Sequence, residues 1–231
     1  ADLFARVVEL YQATLGESPE ALAYVAKRGI SSEAVQHFRL GYANRTLGYR
    51  LPQRQTKAGA DLRGRLEAIG VFRASGHEHL AGSLVIPLFD EHGRVVQLYG
   101  RKILDDLREG TPKHLYLPGP HRGIFNRAAL SGSDDVIVCE ALIDALTFWS
   151  AGYRNVTSAY GIEGVTDELF SALVSSGARV KIAFDRDDAG ERGAEKLSAR
   201  LIAEGVETYR VMFPKGMDAN LYAEKVTPAT D

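Results

Sequence analysis

Two apolar runs, Val136-Ile-Val-Cys-Glu140 and Val180-Lys-Ile-Ala-Phe-Asp185-Arg-Asp187, each end on acidic residues, and the chain between them reads as helix, strand and helix. Short, nearly continuous apolar runs are typical of strands buried on both faces, which belong to parallel sheets covered by helices. An open sheet of that kind places its polar groups at the strand ends, so acids at two such ends build a polar site on an apolar scaffold. The chemistry this points to is a divalent-metal site.

The rest of the second half fits the same plan. Val136 to Cys139, Asn155 to Ala159, Val180 to Phe184 and Glu207 to Phe213 read as strands, and Leu142 to Trp149, Asp167 to Val174 and Gly190 to Glu204 as helices. Repeated strand-helix units favour a mostly parallel sheet. The first half is more mixed. Leu3, Val7, Val8, Tyr11 and Leu15 recur at helical spacing before Gly16, Ser18-Pro19-Glu20 opens a second helix that Gly29 ends, and Ser31 or Ser32 caps a short third through Phe38. Asn44 to Gly64, rich in Arg, Lys, Gln and Gly, reads as an exposed loop or a short surface helix. Ser83 to Phe89 and Arg94 to Tyr99 read as a hairpin turning at Asp90-Glu-His-Gly93, and Pro112 to Leu117 as a short extended segment.

Asp144 lies four residues after Glu140, which puts both carboxylates on one helical face if Glu140 begins the helix. Asp185 and Asp187, one residue apart, point the same way in extended backbone and can share an ion. Asp188 reads equally well as the cap of the following helix, and Asp218 as a member of the acidic patch or an ordinary turn residue. Taken singly, Glu140 also reads as a helix cap and the Asp185 and Asp187 pair as a solvated loop. Clustered carboxylates need cationic compensation, and hard oxygen ligands suit Mg²⁺ better than a His and Cys cage does. Nothing nearby in the sequence marks the Glu140 carboxyl as raised, so metal bridging is preferred to a general-base role.

Bulk properties narrow the alternatives. With 231 residues, 45% of them hydrophobic, the chain can bury a sizeable core as one large domain or two small ones. A formal net charge of -2 supplies no global positive field, so a nucleic-acid grip must be local, as at Arg45, Arg50, Arg54 and Lys57, with Tyr42, Tyr49 and Tyr99 as stacking candidates. A single cysteine, Cys139, excludes an intramolecular disulfide and a cysteine-rich zinc ribbon, and within its strand it reads as a small buried hydrophobe. The chain is expected to be cytoplasmic and without structural zinc. It shows no membrane-span length and no secretory signal, and its start without Met and polar end read as those of a piece of a longer protein.

The ordered motifs are Tyr24-Val-Ala-Lys-Arg-Gly-Ile30, Phe38-Arg-Leu-Gly-Tyr42, Ile86-Pro-Leu-Phe, Gly93-Arg-Val-Val, Gly100-Arg101 and Pro112-Lys113-His-Leu. After them come Gly123-Ile-Phe-Asn126, Glu140-Ala-Leu-Ile-Asp144, Tyr160-Gly161, Phe184-Asp-Arg-Asp-Asp-Ala-Gly190 and Gly216-Met-Asp218-Ala-Asn220. The series resembles the RNA-polymerising core of bacterial-type DNA primases, with the Toprim domain also found in type IA and II topoisomerases. Two positions depart from the family pattern, Ala141 standing for a glycine and Asn220 for an acid. The resemblance covers most of the chain and implies an α/β fold. A Toprim-type, mostly parallel sheet with flanking helices is expected over residues 128–231, preceded by a mixed α+β primase subdomain with a basic segment over residues 1–127.

The resemblance also implies DNA-dependent synthesis of short RNA primers on single-stranded DNA from nucleoside triphosphates, with Mg²⁺ or Mn²⁺. Glu140, Asp185 and Asp187 would be catalytic, and Glu140, Asp144, Asp185, Asp187 and Asp218 would hold metal. Arg101, Lys102 and Lys113 would hold nucleotide phosphates, Arg101 first because its planar fork binds two oxygens at once. Implied partners are the template, the triphosphates, the primer–DNA hybrid and, through regions outside this chain, a replicative helicase; no membrane is implied. A Toprim metal-dependent nuclease and a noncatalytic nucleic-acid-binding module are the competing functions.

Overall fold

The computed structural model describes residues 2–161, 164–214 and 222. They fall into two compact units, Ala1–Val25 with Val35–His121, and Ala26–Ala34 with Arg122–Asp231. The junction at His121 and Arg122 lies a few residues before the boundary expected at 127 and 128, and residues 26 to 34 group with the second unit. The division runs through α2 (Pro19–Lys27) and α3 (Ser32–His37).

In the first unit, α1 (Leu3–Gly16) starts where the Asp2 carboxylate accepts the Phe4 N–H at 3.0 Å. Its Val7, Val8, Tyr11 and Leu15 are buried, giving the expected one-sided stripe, which packs on β1 (Gly41–Ala43). Contact there is close: a Cβ on Gly41 would sit 2.5 Å from the Tyr11 Cβ, so a larger residue would force helix and strand apart. With β2 (Ser83–Phe89), β3 (Val95–Lys102) and β4 (His114–Tyr116), β1 makes a four-stranded antiparallel sheet in the order β1-β2-β3-β4. The β2–β3 turn is held by Asp90, whose Oδ1 accepts the N–H groups of His92 and Arg94, both at 2.9 Å. A register shift between Leu88 and Phe89 follows from the same end of the hairpin. Pro87 is tolerated inside β2 because β1 pairs only with Ser83 to Val85, leaving Pro87 past its end.

In the segment read as loop or short helix a regular helix begins, α4 (Lys57–Ala68), which runs past Gly64 and whose Thr56 hydroxyl caps the Gly59 N–H at 3.1 Å. Its buried Leu62 and Leu66 form a stripe only one turn long, which the surrounding charge and glycine mask in the sequence.

The second unit has β5 (Asp135–Cys139), α5 (Leu142–Ser150), β6 (Val156–Ser158), α6 (Asp167–Ser176), β7 (Arg179–Ala183), α7 (Asp188–Ala203) and β8 (Thr208–Arg210). All four strands are parallel, in the order β6-β5-β7-β8. Val136, Val138, Val180 and Ile182 pack with Leu169 and Leu173 of α6 and Ala194, Leu197 and Leu201 of α7 into one buried cluster. Each fully buried large side chain there contributes about 1.5–3 kcal/mol of transfer free energy. β8 is shorter than the strand expected over Glu207 to Phe213, because the Phe213 carbonyl is taken by the Arg186 guanidinium at 3.0 Å rather than by a neighbouring strand.

Candidate active site

Strand order places the site. The chain goes from β5 outward to β6, returns to β7 on the other side of β5, and continues outward to β8. The order therefore reverses between β5 and β7, and open parallel sheets bind ligands beyond the carboxyl ends of the strands at such a reversal. Cys139 pairs with Ala183, so the chain leaves both strands side by side and Glu140 meets Asp185.

That meeting is direct. Glu140 Oε2 accepts the Asp185 N–H at 3.3 Å, and the Glu140 carbonyl accepts the Gly161 N–H at 3.0 Å. Burial pushes the Glu140 carboxyl above its ordinary value; the Asp185 N–H bond works against this, the Asp185 and Asp187 charges add to it, and Arg210 offsets part. This corrects the sequence reading, which found no sign of a raised carboxyl, since the cause is burial at a strand end that only the fold creates. Gly190 makes the approach possible: a Cβ there would lie 2.3 Å from the Asp185 carbonyl oxygen and 3.0 Å from Glu140 Oε2.

Asp187, not Asp188, caps α7, its Oδ1 accepting the Gly190 N–H at 2.7 Å from an extended backbone, while Asp188 is already in the helix. Glu140 lies outside α5, whose N-cap is the extended Ala141, so the shared helical face expected for Glu140 and Asp144 does not form. Asp144 sits in the first turn of α5, and its charge, with that of Asp185, adds to the burial that pushes the Cys139 thiol far up. Cys139 is fully buried, as its place in an apolar strand requires. Asp218 lies outside the described residues.

Among the described residues, no three His, Cys, Asp or Glu side chains converge as a ready-made ion-holding group. The donor set still suits a hard cation: Glu140, Asp185 and Asp187 supply only oxygens, and partial burial makes the Glu140 charge costly beside the two aspartates.

Two basic residues that sequence reasoning does not select complete the surroundings. Arg210, at the end of β8, donates to the carbonyls of Ile182, Asp185 and Val211, each at 3.1 Å, and to the Glu191 carboxylate at 3.2 Å. Arg186, between the two aspartates, reaches Phe213. An arginine ending a strand one position from an apolar run was the available signal, and it is a weak one. A cavity of about 140 Å³ opens beside Glu140, lined by Gly161, Phe184, Lys196 and Arg200 among others.

In the first unit the expected phosphate-holding residues separate. Arg101 and Lys102 are neighbours on β3, so they point to opposite faces. Arg101 contacts the His114 ring across the β3–β4 pair, and His114 Nδ1 lies 2.6 Å from the Tyr99 hydroxyl. Lys102 donates to the Ala81 carbonyl and lines a cavity of about 810 Å³ with Arg45, Arg54, Arg63 and Arg73. Burial first, then the charges of Arg45 and Arg73, hold the Lys102 ammonium below its ordinary value, as expected where cations gather. Lys113 is exposed, its carbonyl accepting from the Lys102 N–H at 2.9 Å. Of the stacking candidates, Tyr42 and Tyr99 are buried, whereas Tyr49 at the cavity wall is 89% exposed.

A family model described as the N-terminal domain of the DNA primase catalytic core matches residues 10–130, and one described as Toprim-like matches residues 137–223. The first spans more than half of the 231 residues, and the chain belongs to the family of bacterial-type DNA primase catalytic cores. The DNA primase of Aquifex aeolicus is 28% identical over 235 residues, covering 95% of this chain and 45% of its relative. That of Helicobacter pylori strain J99 is 25% identical, covering 94% and 39%. This chain therefore spans less than half the length of these curated relatives. Among solved structures, the zinc-binding and RNA polymerase domains of the A. aeolicus primase match with a TM-score of 0.81 at 27% identity, over 96% of this chain and 57% of that one. A DnaG primase catalytic domain bound to ssDNA matches with a TM-score of 0.78 at 22% identity, over 96% and 76%, a likeness of fold. Among the described residues, no helix is long and apolar enough to cross a membrane.

Proposed function

We propose that this chain makes short RNA primers on single-stranded DNA from nucleoside triphosphates by metal-assisted nucleotidyl transfer. The observation that carries this reading is the contact between Glu140 and the Asp185 turn at the sheet's reversal point, in a chain of the primase-core family. The two compact units then correspond to the primase N-terminal subdomain and the Toprim catalytic domain.

Glu140, Asp185 and Asp187 are the proposed catalytic acids and, with Asp144 and Asp218, the ligands for Mg²⁺ or Mn²⁺. When bound, such an ion lowers the cost of forming a 3′-oxygen nucleophile and neutralises the departing pyrophosphate. The protein's own part is to hold the carboxylates together against their repulsion. Arg101, and after it Lys113, are proposed to hold the triphosphate. Lys102, facing the other way, joins Arg45, Arg54 and Arg73 in gripping template phosphates, with exposed Tyr49 stacking on a base. The primer–DNA hybrid is the product, and a helicase partner would engage regions outside this chain.

The test incubates the chain with single-stranded DNA, four ribonucleotides and Mg²⁺ or Mn²⁺, and resolves labelled products by length. Short RNA that disappears in Asp185→Asn and Asp187→Asn supports the proposal; synthesis that survives both removes these acids from the reaction. The lack of a ready-made three-residue metal group among the described residues favours one other reading, a noncatalytic nucleic-acid-binding module, which DNA binding without product under either metal would support. Loss of DNA without added nucleotides would instead indicate a nuclease.

A further inference from the structure

We infer that Arg210 is a positioning residue for the acidic site, a guanidinium that fixes the turn carrying Asp185 and Asp187. The inference rests on the primase reading for what the site does, while its geometry stands apart from that reading. Arg210 Nη1 donates to the Ile182 and Val211 carbonyls, Nη2 to the Asp185 carbonyl and Glu191 Oε1, and Nε to Glu191 Oε2 at 3.5 Å. One side chain thus joins the last residues of β7, the turn beyond it, the end of β8 and the first turn of α7. Arg186 returns the link, running from the turn to the Phe213 carbonyl at 3.0 Å.

The chain around the two aspartates is therefore held at several points. Asp185 is fixed by its carbonyl on Arg210 and its N–H on Glu140, Arg186 by its side chain, and Asp187 by capping α7. The Arg210 link ties β7, the turn, the end of β8 and the first turn of α7 together, and like Arg186 it sets a guanidinium beside mutually repelling carboxylates. The fork is needed as well as the charge. Five N–H donors in one plane reach three carbonyls and a carboxylate in different directions, whereas a lysine ammonium presents three donors from one point.

Groups that hold the ligands of a metal site in place commonly change affinity or activity by about 10- to 100-fold when removed. The experiment uses the full chain, with Arg210→Met removing donors and charge and Arg210→Lys keeping the charge alone. Mn²⁺ binding is followed by the electron paramagnetic resonance signal of the free ion, folding by circular dichroism, and primer synthesis at varied nucleotide concentration. Both variants are expected to fold, to bind Mn²⁺ roughly 10- to 100-fold more weakly and to lose kcat with little change in nucleotide KM. If Arg210→Met does not fold, Arg210→Lys carries the comparison. Mn²⁺ affinity within about 2-fold of wild type in a folded variant would overturn the inference, as would a wild-type chain that binds no Mn²⁺. A wild type that binds Mn²⁺, loses it in the variants and yet makes no primers would overturn the primase reading while leaving the role of Arg210 standing.

Discussion

Replacing Gly190 by alanine adds one methyl group where helix α7 comes closest to the acids. The new Cβ would stand 2.3 Å from the Asp185 carbonyl oxygen, 3.0 Å from the Asp185 carbonyl carbon and 3.0 Å from Glu140 Oε2. Ordinary non-bonded separation is near 3.5 Å, so backbone must move by roughly 1 Å. Forcing an extra methyl into a packed site costs about 1–3 kcal/mol. Alanine returns about 1 kcal/mol of helix propensity, leaving a net loss of up to about 2 kcal/mol. For a chain of this size that is a fall in Tm of up to about 8 °C. The atoms displaced belong to the site, so activity should fall further than stability, by roughly 100-fold for a 1 Å misplacement. Gly193→Ala is the internal control. Its Cβ would meet the Phe184 ring at 3.4 Å, an ordinary contact in mid-helix, and should stabilise by about 0.5–1 kcal/mol without loss of synthesis. Thermal melts and metal-dependent primer synthesis measure both. The reasoning fails if Gly190→Ala matches wild type, or if Gly193→Ala is as damaging as Gly190→Ala.

Asp187→Asn keeps a side-chain oxygen for the Gly190 N–H and should melt close to wild type, whereas Asp187→Ala loses the cap and about 1 kcal/mol; both should abolish synthesis, and an active Asp187→Ala would contradict the site. Burial raises the Glu78 carboxyl, against hydrogen bonds from the Leu47 N–H and the Tyr11 hydroxyl. A raised folded value adds stability that is complete below the unfolded pKa and lost as pH rises through the folded one. Denaturation midpoints should therefore decline with rising pH relative to Glu78→Gln, and parallel curves would refute this. Asp135 behaves oppositely, because Lys181 first and then Arg179 hold it low. Stability from that cluster should be present above the unfolded carboxylate range and lost as pH falls through the folded value, a slope that Asp135→Asn should remove. Arg101→Ala should raise the nucleotide KM with kcat largely retained, and an unchanged KM would take Arg101 out of nucleotide binding.

The second unit was legible because its strands are nearly continuous apolar runs, Val136 to Cys139 unbroken and Val180 to Phe184 broken only at Lys181, and acids directly after them lie at strand ends. What the sequence could not give was long-range. Arg210 looks like any strand-end arginine until its guanidinium is seen to reach the Asp185 carbonyl, 25 residues earlier in the chain. The raised Glu140 carboxyl depends on burial by segments distant in sequence, and α4 was obscured because only Leu62 and Leu66 mark its inner face. The capping residue stayed open in the sequence, since Asp187 and Asp188 are chemically alike and backbone conformation alone distinguishes them.

Under the proposed roles of Arg101 and Lys102, their separation makes hairpin register a functional quantity. A slip of one residue along β3 would exchange which surface each cation serves, since alternation inverts every side chain at once. Asp90, which holds the hairpin turn through its bonds to His92 and Arg94, therefore governs where positive charge is presented ten and more residues away. The same slip would carry the buried Val95 and Leu98 off the core, so a lesion in that turn would be felt first as lost stability.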